Sequence, residues 1–253
     1  MANENYPLLC FSVPTEAGRD SLTGRSGPVH FPGIGRQRAR IAPQLAVLQQ
    51  AFEAKRLRLQ QAAPMENPEL ILVLEVAGTV QNFANAVSKV PGLDWLLEWA
   101  EEQIEPDEDF YAENRDQQHK PYTGRLFLLG TNQEALTQLL ALWNRHQQNP
   151  DESFARGLAP FKHVFEQLRT IRHWSIADRV DADMRRYWQD GIDNGMAAIR
   201  FEIEAWHFSV PQKNETASVE VEALVQRLNG RVLSRALVPE IAGSVAITAD
   251  GQF

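Results

Sequence analysis

The side chains able to do chemistry are few, and their spacing matches none of the arrangements that chemistry needs. Six histidines, His30, His119, His146, His163, His173 and His207, are scattered along 253 residues. A zinc centre needs ligands at short fixed intervals such as HExxH, or cysteine partners, and neither occurs. The histidines read as surface or core-edge residues. Cys10 is the only cysteine, so no intrachain disulfide is open to it. It has no helix terminus or basic neighbour to lower its pKa and is not read as a nucleophile. The glycines of FPGIGRQRAR lack the preceding strand and the following Lys-Ser or Lys-Thr of a phosphate loop. No serine sits in a GxSxG elbow. The acidic run Glu98, Glu101, Glu102, Glu105, Asp107, Glu108 and Asp109 lacks the glycine and alternating oxygen ligands of a calcium loop, so it reads as a solvated face. The expectation is a chain with no catalytic centre, metal or cofactor of its own.

Charge is unevenly placed. Residues 1–60 carry eight Lys or Arg against four Asp or Glu, and the remainder carries 17 against 29, so a head of +4 precedes a body of −12. An arm bearing Arg36, Arg38 and Arg40 can meet nucleic acid or an acidic partner, or it can lie on its own acidic body. The second reading is preferred, because the positive charges are sparse and no aromatic platform interleaves them. At 43% hydrophobic and 23% charged residues the composition is that of a globular protein with enough chain for a real core. No apolar run is long enough to span a bilayer and MANENYPLLCF lacks a basic signal-peptide start, so the expected location is the cytoplasm.

The elements that would position any site follow from periodicity. Residues 1–35, rich in Pro, Gly and Ser, predict an extended arm. Residues 36–65 predict an amphipathic helix and linker, with Leu45, Leu48, Phe52 and Leu59 at helical spacing and an interruption or start near Pro43. Residues 66–180 predict a first α/β module with helices on one face of a mixed sheet. In it, Glu69–Ala77 is a central strand, Thr79 caps a helix with Val80, Phe83, Ala84 and Val87 on one face, and Gly124–Thr131 is a second strand. Asn132 caps a helix with Leu136, Leu139, Leu140 and Trp143 inward, and Phe161–Leu168 is a short helix. LDWLLEWAEEQI fits helix and strand spacing equally, and residues 112–123 read as a polar loop.

A connector, 181–197, leads into β-α-β-β over 198–253. There Val221, Leu224, Val225 and Leu228 face the sheet and Gly230 closes the helix in the left-handed conformation. A β-α-β-β-α-β sandwich needs one more helix and strand, so this module reads as incomplete. The fold class expected is therefore α+β: two small ferredoxin-like or propeptide-like sandwiches, the second unfinished, behind an arm and a helix.

The blocks PELILVLEVAGTV, GLDWLLEWAEE, GRLFLLGTNQEALTQLLALW, FKHVFEQLRTIRHWSIADRVD and IRFEIEAW with VEALVQRLNGRVLSRALVPEIAGSVAI follow an order that resembles the N-terminal, non-catalytic region of large bacterial subtilisin-like serine peptidases. The likeness spans roughly residues 28–250. It implies a folding, inhibitory or recognition module for a peptidase domain, in cis or in trans, with an AAA-type ATPase as a further possible partner. None of the family's Asp, His and Ser triad motifs occurs here, so no triad residue is assigned. A preformed sheet can lend an edge strand to its partner, and Val232, Leu233, Val238, Pro239, Glu240 and Ile241 form the strand that would do so, although a plain buried strand fits the same pattern. A stand-alone interaction or adaptor protein is the alternative, with nucleic-acid binding through the arm behind it. The first predicts apolar surface left open on the second module; the adaptor predicts a closed one.

Overall fold

The computed structural model describes residues 28–62, 69–180, 182–196, 198–206, 208, 211–238 and 244–252. The N-terminal half begins with β1 (Val29–His30), α1 (Ile34–Ala62), β2 (Glu69–Ala77), α2 (Phe83–Val87), β3 (Leu93–Ile104), β4 (Tyr111–Glu113), β5 (His119–Lys120) and β6 (Tyr122–Asn132). There follow α3 (Gln133–Gln148), α4 (Ala159–Gln167), β7 (Leu168–His173), α5 (Ile176–Arg179), α6 (Ala182–Asp193), β8 (Ala198–Ala205), α7 (Pro211–Arg227), β9 (Arg231–Val238) and β10 (Ser244–Gln252). The fold class is α+β, as the periodicity indicated.

The first sheet has the order β3-β6-β2-β7, and every neighbouring pair is antiparallel. The expected mixed sheet is thereby corrected: β6 fills the place between β2 and β3, so the two strands joined through α2 never pair directly. This is the complete β-α-β-β-α-β, or ferredoxin-like, arrangement. Strand β2 is paired on both edges and covered on both faces, which explains its nearly continuous apolar run. Leu72, Leu74 and Val76 join the helical side with Phe127, Leu129 and Phe83, while Val73 joins Leu96 and Leu128 on the other side.

Strand β3 shows why LDWLLEWAEEQI read both ways. Trp95 stands opposite Leu129 and Leu97 opposite Leu128, so Leu96 is an extra residue in a β-bulge. The bulge breaks strict alternation and places apolar residues at 93, 96 and 97, a spacing that mimics a helix. Other boundaries also move. Asn82, not Thr79, precedes α2, and Ala86 rather than Ala84 is buried beside Phe83 and Val87. Leu168 ends the helical stretch by starting β7, a strand that periodicity missed. The 112–123 stretch is no loop throughout: β4 pairs with β5 and with β1, and Asn114 Oδ1 accepts from the Asp116 and Gln118 N–H groups at their turn.

Helix α1 begins at Ile34, two residues before the expected boundary, and runs through Pro43 without interruption. Its buried stripe is Gln37, Ile41, Leu45, Leu48 and Phe52, whereas the side chain of Leu59 lies outside the described residues. The stripe packs on β7, the outer strand of the sheet, and polar side chains close that strand's free edge. Gln44 Oε1 accepts from the Ile171 N–H at 2.8 Å, Arg40 Nε donates to the Arg169 carbonyl at 2.9 Å, and Gln37 Nε2 donates to the carbonyls of Phe165 and Leu168 at 2.8 and 2.6 Å. These contacts hold the first turns from outside, where a proline-containing helix would otherwise be weakest.

Because Gln37 is buried, Gln37→Ala leaves two carbonyls unpaired in the interior, each costing about 1–3 kcal/mol. Urea unfolding should therefore show a loss of roughly 2–4 kcal/mol, against a change within about 0.5 kcal/mol for the exposed Arg38→Ala.

Candidate docking surface

The second sheet has the order β8-β10-β9, with β10 antiparallel to both neighbours. Since α7 joins β8 to β9, this repeats three of the four strands of the first module in the same relative order. Helix α6 takes the helical place beside β8. Gly191 approaches Ile199 so closely that a Cβ there would lie 2.4 Å from Ile199 Cδ1, and Trp188 meets Phe201 edge-on with centroids 5.7 Å apart. Among the described residues no helix or strand follows β10, as the incomplete β-α-β-β order predicted, and the connector supplies a helix that precedes β8 in the chain. What stays open, among the described residues, is the outer edge of β8 and the outer edge of β9.

The predicted docking strand falls on β9. Val232 is half-buried, Leu233 is 37% exposed, and Val238 ends the strand opposite Ser244. Pro239, Glu240 and Ile241 lie outside the described residues. Helix α7 adds to this edge in a way that periodicity misjudged. Val225 is buried, but Leu224 and Leu228, expected on the sheet, are 41% and 63% exposed. They lie one turn apart on one face, and the chain then enters β9 at Arg231, two residues before the exposed Leu233. The helix ends in a Schellman motif, with Gly230 N–H on the Val225 carbonyl and Asn229 N–H on that of Gln226. Its left-handed residue is Asn229 (φ 58), not Gly230.

The module is fastened to the far face of the first sheet. Trp174 and Trp206 meet edge-on at 5.6 Å, and Phe208 lies against Gly130, where a Cβ would come within 3.1 Å of the ring. Asn214 holds the Phe208 backbone at both ends, and Lys213 reaches Asp94 at 2.8 Å and Glu69 at 2.9 Å. Burial works against the Lys213 ammonium, but its bonds to Asp94 and Glu69 outweigh that and raise its pKa above the usual lysine value.

Two of the three arginines, Arg36 and Arg40, lie on the protein's own acidic segment, while Arg38 is exposed. Arg36 pairs with Asp109 at 2.7 Å and Glu108 at 3.1 Å, and Arg40 with Asp107 at 2.8 Å and Asp109 at 3.1 Å. Burial opposes the Asp107 charge, yet Arg40 and the N–H groups of Phe110 and Asp109 hold its carboxyl below the usual range. Part of the acidic run is therefore a structural clasp and not a solvated face.

Two histidines come together where the sequence carried no sign of it: His30 and His119 stack on opposite faces of Tyr111, at 4.4 and 3.9 Å. The rings lie face to face, and no metal-binding cluster exists among the described residues. His146 is buried beside a cavity of about 200 Å³ lined also by Gln37, Glu166, Pro32, Ile34 and Pro150. Burial lowers its pKa, and neither nitrogen has a hydrogen-bond partner among the described residues. No helix is long and apolar enough to cross a membrane among the described residues.

Comparisons with protein-family models, curated proteins and solved structures return no match.

Lys213→Met strips the ammonium from Asp94, which is only 13% exposed. Hydrogen bonds to charged groups contribute about 1.5–3 kcal/mol, so a urea-stability loss of that order is expected. The loss should be accompanied by a shift in tryptophan emission from the Trp174–Trp206 contact.

Proposed function

We propose that this chain is a non-catalytic docking module for another protein, and that a subtilisin-like peptidase domain, in cis or in trans, is that protein. The observation that carries the docking reading is an open strand edge together with uncovered leucines: β9 has no outer neighbour among the described residues, Leu233 on it is exposed, and Leu224 and Leu228 are exposed on α7, the helix that contacts β9. Peptidase as the partner rests on the sequence resemblance alone.

The physical action is strand addition. A partner segment laid along β9 satisfies the row of edge N–H and C=O groups, and the leucines supply the apolar part. Each leucine fully covered contributes roughly 1.5–3 kcal/mol. A module that binds the folded peptidase but not its unfolded chain stabilises the folded form by mass action, which is how it would assist folding. If the partner's strand belongs to the substrate cleft, the same contact holds the enzyme inactive. An AAA-type ATPase acting on the pair, and a cytoplasmic setting, belong to this reading.

The test mixes the purified chain with the subtilisin-like peptidase domain encoded with it, or nearest to it, in the source genome. Hydrolysis of a chromogenic peptide and recovery of activity after dilution from urea are then followed. The intact chain should slow hydrolysis or raise refolding yield, and Leu224→Ser with Leu228→Ser should weaken either effect by tenfold or more, about 1.4 kcal/mol. Both leucines are exposed, so the double variant should unfold at the same urea concentration as the parent. A peptidase indifferent to the intact chain would sink the proposal.

A further inference from the structure

The other open edge points to a second copy of this chain. In the first module the place beside β2 is taken by β7, antiparallel. In the second, β8 corresponds to β2, and the place beside it holds no strand among the described residues.

The residues along β8 are Ala198, Ile199, Arg200, Phe201, Glu202, Ile203, Glu204 and Ala205. Neighbouring residues point to opposite faces, so Arg200 and Glu202 share one face and Ile199, Phe201 and Ile203 the other. Arg200 and Glu202 are exposed, Ile199 is buried against Gly191, and Phe201 is half-buried against Trp188. A strand added to this edge must keep its apolar residues on the α6 side, which excludes every register that is off by one.

We propose that two copies pair antiparallel along β8, about a twofold axis through Phe201. In this register Arg200 stands opposite Glu202 of the second copy, and Glu202 opposite its Arg200, so one ion pair occurs twice. Ile199 stands opposite Ile203, also twice, on the face covered by α6. Shifting the pairing by two residues in one direction sets Arg200 against Arg200, and in the other sets Glu202 against Glu202. Like charges directly opposite are destabilising. The Phe201-centred register is the one spanning the strand without a like-charged pair.

The rest of the sheet supports the same register. Within one copy Arg231, Asp250 and Arg200 are successive neighbours across β9, β10 and β8. Glu202 of the second copy continues the alternation of sign, from plus, minus, plus to minus. The product is a six-stranded sheet, β9-β10-β8-β8-β10-β9, with an isologous interface and β9 still at each outer edge. The pairing is therefore independent of the docking reading and compatible with it.

Sedimentation velocity on the full chain, across a concentration series at low salt, reads the proposal directly. The wild type should dimerise reversibly. Arg200→Glu alone and Glu202→Arg alone each replace two attractive pairs with two repulsive ones, and each should raise the dimer dissociation constant by on the order of tenfold or more. Mixing the two variants should restore dimer as a heterodimer, since every facing pair is then of opposite sign. Circular dichroism and urea unfolding verify that each variant folds. Arg200→Glu sets a second acid opposite Asp250 in its own sheet. Should that variant fail to fold, Glu202→Arg, which stands opposite the neutral Thr248, decides alone. A monomeric wild type, a Glu202→Arg dimer as tight as the wild type, or a mixture of two folded variants that stays monomeric would each overturn the proposal.

Discussion

The structure depends on how the outer edge of β7 is closed. A terminal strand presents unpaired N–H and C=O groups that invite another chain, and leaving them buried without partners costs about 1–3 kcal/mol each. Here α1 lies along that edge, and Gln37, Arg40 and Gln44 supply the bonds that a further strand would have made. The same turns carry the pairing of Arg36 and Arg40 with Asp107, Glu108 and Asp109, which draws the small β1-β4-β5 sheet against the helix start. Edge closure thus fixes where the helix begins and how it passes Pro43.

The second module poses the same problem with the solution left out. Its three strands repeat the order of the first, and α6 and α7 lie on its strands, but neither outer strand has a helix supplying glutamine and arginine to its edge among the described residues. The two edges differ in chemistry. On β9 the neighbouring helix leaves leucines uncovered, which suits an apolar partner. On β8 the exposed Arg200 and Glu202 lie two positions apart, so a twofold-related copy can set each opposite the other. The difference in closure, and not in topology, separates the scaffold half of the molecule from the half with surface to offer.

How far this was legible in the sequence depended on whether an element's pattern was set by its own residues. Strands β2 and β6 and helix α3 were readable, because each is buried along a continuous run or stripe and Asn132 caps α3 through the Ala135 N–H. Strand β3 was not, since a bulge at Leu96 shifts its apolar positions into a helix-like spacing. Strand β7 was hidden because its charged members, Arg169 and Arg172, face Glu101, Glu75 and Asp178 on other elements. The candidate site was half legible: β9 stood out as a strand, but the exposure of Leu224 and Leu228 depends on where α7 rests, which no helical repeat encodes.

The basic arm is the clearest case of charge count and function parting company. A head of +4 before a body of −12 is compatible with a nucleic-acid tether and equally with an internal clasp. Phosphate binding requires guanidinium groups free to replace counterions. Arg40 cannot meet that requirement without giving up two carboxylates and a backbone carbonyl, with Asp109 only 10% exposed behind it. Breaking such a contact costs more than a surface ion pair is worth, because a desolvated carboxylate is left behind. The energetics therefore commit Arg40 to the fold.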